Sequence, residues 1–369
     1  MKICFVGLEN LPVLAPEYNR HGIGGEQVQQ TLMARALARR GHEVSMVVGD
    51  YGQPDGARWH GVTTWRAYRP DAGLPLVRFI HPRWTSVWNA LRRADADLYY
   101  VSCAGMQLGL VAMFCKKYGR KFVFKVAHDR DCEPGQLLIT YTRDKKLYEY
   151  GLRRAHAIIA QSEQQRAAML RNYGLPSSVA EMMVDGSEHL LDFAGRRHDV
   201  LWVNNLRQFK RPDLLLELAR RLPQRQFHMI GGPQPGFAEL YAAIEQEAAA
   251  IPNLVFHGRV PYHDMDRWYA GARVFVNTSD TEGFPNSYLQ SWVRGTPSVA
   301  FFDPDGVIAR ERLGAAVSDM AQMAQAVERL CSERDEWDAV SARCKQYMNE
   351  TYGDDRILAP YLAIFERLV

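Results

Sequence analysis

Two loops of this chain place charged side chains directly after an apolar run, and such positions suit ligand binding. Glu282 lies in a loop with a glycine and a proline that follows the apolar run at residues 274–277. That run predicts a short buried strand, and Asn286 or Ser287 is suited to cap a helix that begins near Tyr288. Backbone N–H groups at such a helix start attract anions, and the carboxylate can contact hydroxyls or a cation. The segment therefore predicts a site for an anionic ligand.

Two cations lie in a similar position earlier in the chain. Arg207 and Lys210 follow the apolar run at residues 200–203. Fixed cations stabilise the negative charge that develops on a leaving group, so this pair suits a reaction in which an anion departs. A solvated basic loop without any ligand explains the same residues, and that alternative stays open.

A histidine and a group of glycines mark two further candidate positions. His128 follows the run at residues 122–126, and a polar residue just past a parallel strand lies where open α/β sheets bind ligands. Gly22, Gly24 and Gly25 open the first long helix, where glycine lets a ligand approach the backbone. They are not the dinucleotide-binding fingerprint, because a long loop separates them from the first strand. A structural histidine and a plain turn remain the alternatives.

The elements that position these residues alternate between short apolar runs and longer amphipathic stretches. This alternation favours an α/β fold in which helices cover mostly parallel sheets. The predicted strands cover residues 3–7, 43–48, 98–102, 122–126, 157–160, 200–203, 227–230, 254–256, 274–277 and 298–301, and the clearest helix covers residues 26–40.

The strands fall into two series, which predicts two Rossmann-like domains. The polar stretch at residues 195–199 suits a linker, so we expect one domain at residues 1–198 and a second at residues 199–351. The last segment, residues 352–369, has a broad apolar face and must dock against a domain. Its own domain and the N-terminal domain are both candidates for that docking.

Composition excludes several classes of protein. The 369 residues are 47% hydrophobic and 24% charged, which is typical of a globular protein of two domains. The net charge of +3 does not indicate a nucleic-acid partner. The six cysteines show no zinc-ligand spacing, so buried reduced thiols are expected. The first apolar run is too short for a signal peptide and no segment is of membrane-spanning length, so we expect a cytoplasmic protein.

The segment from Glu282 to Gln290 resembles the E-x7-E segment of the retaining, nucleotide-sugar-dependent glycosyltransferases of family 4. Glu282 matches the first glutamate, and Gln290 stands in place of the second. Lys210 matches the lysine of the family's basic loop, whereas Asn205 stands where arginine is usual and Arg207 is the nearest substitute. The resemblance covers nearly the whole chain. It implies the GT-B fold, in which two Rossmann-like domains have parallel sheets facing across a cleft and the final helix crosses back to the N-terminal domain.

The resemblance also implies roles for individual residues. Glu282, Lys210 and His128 would be the catalytic residues, stabilising a donor sugar and its departing diphosphate. Gln290 would meet the donor's ribose, where its carbonyl oxygen can accept one hydrogen bond without the charge of a carboxylate. The donor would be a UDP or GDP sugar, bound without a metal ion or other cofactor. The implied donor-binding residues are Gly24, Gly25, Asn205, Arg207, Gly231, Gly232, Val260, Phe284, Pro285, Asn286, Ser287 and Gln290.

The function implied by the resemblance is a retaining hexosyltransferase. It would move a sugar from a nucleoside diphosphate sugar to a glycan or lipid-linked acceptor during assembly of cell-surface polysaccharide. Asn205 and Gln290 also favour a second hypothesis, a weakly active or inactive scaffold that binds nucleotide sugars. A nicotinamide-dependent dehydrogenase is disfavoured by the displaced glycines, whereas a GT-B epimerase or phosphorylase shares the fold and stays open.

One further segment suits a membrane surface. Residues 74–98 interleave aliphatic and aromatic residues, including Leu76 and Ile80, with four arginines, Arg78, Arg83, Arg92 and Arg93. Such a composition fits an amphipathic segment at the interface of an anionic bilayer, so we expect peripheral contact with the cytoplasmic face of the inner membrane. A loop that packs into the core with solvated arginines explains it equally well.

Overall fold

Short apolar runs form the strands of two separate sheets. The computed structural model describes residues 1–18, 23–74, 77–186, 190–234 and 236–369. The chain divides into an N-terminal unit, Met1–Met183 with Asp354–Val369, and a C-terminal unit, Val184–Gly353.

The N-terminal unit contains a sheet of eight strands in the described part of the chain. The strands are β1 Lys2–Val6, β2 Glu43–Val48, β3 Arg58–Trp59, β4 Val62–Arg66, β5 Leu98–Ser102, β6 Lys121–Lys125, β7 Ala157–Ala160 and β8 Ser178–Val179. Their order is β3-β4-β2-β1-β5-β6-β7-β8, with β3 antiparallel to β4 and the other neighbours parallel. Parallel neighbours need crossover connections, which explains the helices between them. The helices are α1 Leu11–Leu14, α2 Gly25–Arg39, α3 Thr85–Ala94, α4 Met106–Tyr118, α5 Thr142–Leu152 and α6 Glu163–Tyr173, with single turns at Pro16–Tyr18, Phe79–Trp84 and Asp129–Cys132.

The C-terminal unit is a parallel sheet of six described strands. They are β9 His198–Val203, β10 Phe227–Ile230, β11 Leu254–Phe256, β12 Ala272–Asn277, β13 Ser298–Ala300 and β14 Gly314–Ala316. The helices are α7 Pro212–Arg221, α8 Ala238–Ala249, α9 Asp266–Gly271, α10 Asn286–Trp292, α11 Val307–Glu311, α12 Met320–Ser332 and α13 Arg334–Thr351, with single turns at Gln208–Lys210, Tyr262–Asp264 and Pro304–Gly306. Two such α/β units agree with the predicted fold class.

The order of the C-terminal sheet, β11-β10-β9-β12-β13-β14, reverses between β9 and β12. The two strands are parallel, with Val200 beside Val274 and Leu201 beside Phe275, so they end at the same edge. In open α/β sheets, ligands bind at the carboxyl ends of the strands where the order reverses. A ligand site is therefore expected at the loops that follow these two strands.

The final helix, α14 Asp354–Leu368, belongs to the N-terminal unit, as the resemblance implied. Its Tyr361 hydroxyl accepts a hydrogen bond from Lys125 Nζ of β6 and donates to the backbone oxygen of Glu181 at 2.8 Å. Phe365 packs edge-on against Tyr100, with ring centroids 6.2 Å apart. Burial lowers the pKa of the Lys125 ammonium to about 7, because its charge is removed from water. A buried polar contact thus fixes the helix to the central strands.

The structure differs from the predicted domain linker. The division between the units falls at residues 183 and 184, whereas the polar stretch at 195–199 lies within the C-terminal unit. Arg196 of that stretch is buried and donates to the backbone oxygen of Ala272 at 2.6 Å and to the Thr296 hydroxyl. Arg196 therefore holds parts of the C-terminal unit together. Its N–H groups bond backbone carbonyl oxygens at the ends of strands and helices.

Residues in the segment expected at a membrane differ in exposure, and so do the cysteines. Val87 and Leu91 of α3 are buried in the core, which supports the core-packing alternative for that half of the segment. Ile80 is 63% exposed, as the surface hypothesis requires. Gly22 and Leu76 lie outside the described residues. Cys103 is exposed, whereas the other cysteines are buried thiols.

Candidate functional site

The loops after β9 and β12 are tied to one another by hydrogen bonds. The Thr278 hydroxyl shares its proton between the backbone oxygens of Lys210 and Arg211, at 2.8 and 2.9 Å, and accepts from Trp202 Nε1 at 2.9 Å. The backbone N–H of Asp280 donates to the Phe209 oxygen at 2.9 Å. Because one of these bonds is backbone to backbone and the others anchor Thr278 to the backbone of the other loop, the two loops keep a fixed relative position.

Lys210 and Glu282, one from each loop, form an ion pair in which Glu282 is buried and Lys210 is half-buried. Lys210 Nζ bonds Glu282 Oε1, and the same oxygen accepts from the Ser279 hydroxyl at 2.7 Å. Glu282 is only 6% exposed, and a buried carboxylate needs such partners to offset its desolvation. Its second oxygen, Oε2, accepts no hydrogen bond from the described residues. The pair thus leaves one carboxylate oxygen available for a ligand.

Arg207 adds a second cation to the loop that carries Lys210. It precedes the turn at Gln208–Lys210, where its backbone oxygen accepts from the Lys210 N–H at 3.0 Å. Its half-buried guanidinium forms no ion pair with any described residue. Since Glu282 neutralises Lys210, Arg207 gives the loop a net positive charge, and an anion is the natural partner for it.

The turns after β10 and β11 lie against the end of β9. The Gly231 N–H donates to the Gly258 oxygen at 2.8 Å, and a Cβ atom on Gly231 would lie 2.2 Å from the Asn204 backbone oxygen. That approach is too close for any other residue, so glycine is required at 231. A Cβ atom on Gly232 would lie 2.9 Å from Arg259 Nε. These turns bring Gly231, Gly232 and Asn204 to the carboxyl edge of the sheet.

The start of helix α10 differs from the prediction. The helix begins at Asn286, its N-cap is Pro285, and no side chain caps it. Asn286 and Ser287 therefore lie inside its first turn, because the proline already holds the extended conformation that an N-cap needs. Phe284 packs edge-on against Trp292 of this helix at 6.3 Å between ring centroids. The contact between Phe284 of the loop and Trp292 of the helix thus fixes the loop against α10.

The carbonyl oxygen of Gln290 already accepts a hydrogen bond within the protein. Arg294 Nη1 donates to Gln290 Oε1 at 2.8 Å and to its backbone oxygen at 2.7 Å. Arg294 thus uses one of the two acceptor positions of this amide oxygen, and the predicted contact with a ribose hydroxyl stays a prediction. Sequence reasoning did not identify Arg294, although its position four residues after Gln290 places the two side chains on one helix face.

In the N-terminal unit, His128 starts a tight turn after β6. Its Nδ1 accepts from the Arg130 N–H at 3.0 Å, so the neutral imidazole carries its proton on Nε2. Asp131 Oδ2 accepts from the N–H groups of Ala127 and His128 at 3.0 and 3.1 Å. Burial raises the pKa of Asp131 to about 6. The turn therefore sets both the orientation and the tautomer of His128.

The glycines before α2 also belong to the N-terminal unit. Gly24 is the N-cap of α2 in an extended conformation, and Gly25 is its first residue. The next residue, Glu26, bonds Gln30, and burial raises the pKa of its carboxyl to about 8. A weakly acidic carboxyl thus lies next to the glycines at this helix start. The raised pKa of Glu26 could not be predicted from the sequence, because it follows from desolvation in the folded protein.

The predicted site residues thus divide between the units. Gly24, Gly25 and His128 belong to the N-terminal unit. All the others belong to the C-terminal unit, where half-buried Asn205 and Val260 lie in the loops that follow β9 and β11. Among the described residues, no group of three or more His, Cys, Asp or Glu side chains could hold a metal ion.

Three histidines of the C-terminal unit form a hydrogen-bonded row beside this region. His198 Nδ1 lies 3.0 Å from His228 Nε2, and His228 Nδ1 lies 2.8 Å from His257 Nε2. Trp268 stacks on His198, with ring centroids 5.2 Å apart. Burial and the two neighbouring imidazoles lower the pKa of His228 to about 4, despite the opposing charge of Asp199. His257 directly precedes Gly258, so the row connects the sheet to the turn that contacts Gly231.

The histidine row predicts acid sensitivity. An unfolded histidine has a pKa of about 6.5, so the unfolded chain binds more protons than the folded chain between that value and about 4. Stability from the row is therefore complete above about pH 6.5 and is lost as the pH falls toward 4. We expect the urea midpoint of the native protein to fall more between pH 7.5 and 5 than that of His228→Gln. Equal pH dependence in both proteins would contradict this.

Comparisons with known proteins match the N-terminal and C-terminal units to two separate family models. Residues 24–184 match the family model "Glycosyl transferase 4-like domain", and residues 197–333 match "Glycosyl transferases group 1". The chain is 36% identical over 112 residues to a D-inositol 3-phosphate glycosyltransferase of Frankia alni, an alignment that covers 27% of this chain and 28% of that one. It is 30% identical over 105 residues to the O-antigen biosynthesis glycosyltransferase WbnH of Escherichia coli, again over 27% and 28%. The chain thus matches little more than a quarter of the length of these curated relatives.

A solved structure extends the likeness over the full length. The Anabaena protein HepE, crystallised in complex with UDP and glucose, aligns with 100% of both chains at a TM-score of 0.75 and 15% identity. At that identity the likeness is one of fold. The two sheets therefore have the GT-B arrangement of secondary structure.

Proposed function

We propose that this chain, which belongs to the family 4 glycosyltransferases of the GT-B fold, moves a sugar from a nucleoside diphosphate sugar to an acceptor with retention of configuration. One observation carries the proposal: the Lys210–Glu282 ion pair, with Arg207 on the same loop as Lys210, at the point where the C-terminal sheet reverses its order. Cations held at this edge suit a diphosphate, and the available carboxylate oxygen suits a sugar hydroxyl.

The proposed chemistry follows from these charges. Lys210 and Arg207 neutralise the diphosphate as its bond to the sugar breaks, so that these side chains take the role a metal ion plays elsewhere. Glu282 holds Lys210 with one oxygen and binds the sugar with the other. The close turn at Gly231 leaves backbone facing the donor, and Val260 lies in the loop that we assign to the base. The resemblance assigns His128 to the sugar as well, and its imidazole carries a proton on Nε2 that can be donated.

The proposed donor is a UDP or GDP hexose, and the proposed acceptor is a glycan or lipid-linked sugar of a cell-surface polysaccharide. Support comes from the relatives: HepE was crystallised with UDP and glucose, and WbnH is a glycosyltransferase of O-antigen biosynthesis. The base itself contacts backbone in this proposal, so the side chains of this segment say little about whether the base is uracil, guanine or adenine.

Binding and turnover test the proposal in sequence. In a panel of UDP, GDP, ADP and CMP, we expect UDP or GDP, and then one of its sugars, to raise the melting temperature most, and CMP, which has a single phosphate, to raise it little. We expect turnover of that sugar, by hydrolysis or by transfer to an acceptor, to exceed that of Lys210→Ala. Binding without any turnover would favour the scaffold hypothesis. No shift with any nucleotide would contradict both.

We also propose that the N-terminal unit contacts an anionic membrane. Leu74, Val77 and Ile80 are exposed on one segment, beside a groove of about 620 Å³ lined by Phe79, Trp84, Met113, Thr142, Arg143, Lys146, Leu147 and Tyr150. Aromatic residues next to arginine and lysine suit the boundary between acyl chains and anionic headgroups. No described helix combines the length and apolar character needed to span a bilayer.

A charge placed on this surface is expected to prevent membrane binding. Ile80→Glu would have to bring a carboxylate to the headgroup region, so we expect at least about tenfold weaker sedimentation with phosphatidylglycerol vesicles. Leu170→Glu is the matched control, because Leu170 is similarly exposed, at 59%, on helix α6 of the same unit. Equal binding of both variants and the native protein would contradict the assignment of this surface.

A further inference from the structure

Arg294 holds the Gln290 side chain in one orientation. Gln290 is 9% exposed, and Arg294 Nη1 lies 2.8 Å from its Oε1. Arginine only donates hydrogen bonds, so the atom that faces it must be the amide oxygen. The Nε2 group of Gln290, with its two N–H donors, forms no hydrogen bond with any described residue. This side chain thus presents donors where a glutamate would present an acceptor.

Arg294 is itself fixed from two further directions. Its Nε donates to Asp266 Oδ1 at 2.5 Å, and its backbone oxygen accepts from Arg196 Nη2 at 2.6 Å. Because Asp266 neutralises the guanidinium, the arginine can bond a neutral amide at Gln290 and needs no second carboxylate. Turning the amide over would place its NH2 group against the arginine's N–H donors, which is costly in a buried site. The orientation is therefore locked.

We propose that Arg294 is a positioning residue that turns the NH2 group of Gln290 toward the ribose of the donor. The inference rests on the proposed function, since it takes Gln290 to meet the ribose. This chain then recognises ribose by donating to a hydroxyl oxygen, whereas a carboxylate accepts from hydroxyl hydrogens. Losing a neutral hydrogen bond costs about tenfold in affinity or less, but losing a charge-assisted one costs about 10- to 100-fold. We therefore expect this chain also to bind nucleotides whose ribose lacks one hydroxyl group.

Calorimetric titration of the full chain tests whether Gln290 recognises the ribose by donating a hydrogen bond. The probes are UDP and GDP and their 2′-deoxy and 3′-deoxy forms. We expect each deoxy form to bind within about tenfold of its parent in the native protein. Gln290→Glu restores an acceptor, so at least one deoxy form should then lose about tenfold more than it does in the native protein.

A double-mutant cycle tests the role of Arg294. If Arg294 acts through Gln290, Arg294→Met weakens binding of the better nucleotide several-fold in the native background and not in Gln290→Ala. A purely structural arginine would weaken binding equally in both. Arg273→Met is the control, because Arg273 pairs with Asp199 of the same unit at 2.8 Å and does not contact Gln290.

Three results would overturn the inference. Native discrimination against both deoxy forms of more than about 30-fold, or equal effects of Arg294→Met in both backgrounds, would overturn it while leaving the proposed function intact. Failure of every nucleotide to bind would overturn the proposed function and this inference together. Tight binding of the parent nucleotides therefore separates the two kinds of failure.

Discussion

Lys210→Ala is expected to lower the kcat for sugar transfer by about 100- to 1000-fold, which is the usual cost of removing a fixed group that stabilises transition-state charge. In the proposed function the diphosphate gains negative charge as the sugar departs, and Lys210, held by a carboxylate and two tied loops, stabilises that charge. Steady-state kinetics with a labelled donor would measure the loss. We expect KM to change less than kcat, because the interaction strengthens as the charge develops.

The same substitution also leaves Glu282 buried without its cation, and breaking a buried pair typically costs about 3 to 5 kcal/mol of stability. The double variant Lys210→Met with Glu282→Gln removes both charges and should recover much of that stability while staying inactive. Arg220→Ala, which breaks an exposed ion pair between Arg220 of α7 and Glu247 of α8, is the control for loss of a cation in the same unit. Recovery of activity in the double variant would show that the pair acts only on folding.

The strands that carry this pair could be predicted from the sequence for a physical reason. A parallel strand covered by helices on both faces reads as an uninterrupted apolar run, and residues 200–203 and 274–277 are such runs. The polar residues that follow them must lie at the carboxyl edge. The resemblance to family 4 then implied which of those residues matter, and the fold and family are confirmed. Their catalytic roles stay predictions.

Elements without an apolar signature were missed. Strand β14, Gly314–Ala316, consists of small residues, and Gly314 occupies the left-handed region at φ 147° against the Ser298 oxygen of β13. The short strand β3, Arg58–Trp59, has a single aromatic residue. Both add to the sheet by backbone pairing, which side-chain patterns do not report.

Long-range polar contacts could not be predicted either. Arg196 appears in the sequence as part of a charged linker, yet it is buried because carbonyl oxygens from distant segments meet at its guanidinium. The lock between Arg294 and Gln290 depends in the same way on Asp266, which lies on another helix. Charge in a sequence indicates exposure only where no such partners converge, and the fold alone decides where they do.

His128→Asn and His128→Ala are both expected to lower kcat about 100-fold, but only the alanine variant should lose stability. The Oδ1 of asparagine can accept from the Arg130 N–H as the imidazole Nδ1 does at 3.0 Å, so the turn before Asp131 keeps its cap. Alanine removes that cap, at a typical cost of about 1 kcal/mol. Neither variant carries the Nε2–H that the proposed function directs toward the sugar.

The pair of variants therefore separates structure from chemistry at this turn. Kinetics of transfer and urea unfolding would be measured on both. Inactive but stable His128→Asn is the result expected if the imidazole acts on the donor. If His128 served only to cap the turn, His128→Asn would keep near-native activity and the histidine would leave the set of catalytic residues. Lys210 and Glu282 would be unaffected by that outcome, because their geometry lies wholly within the C-terminal unit.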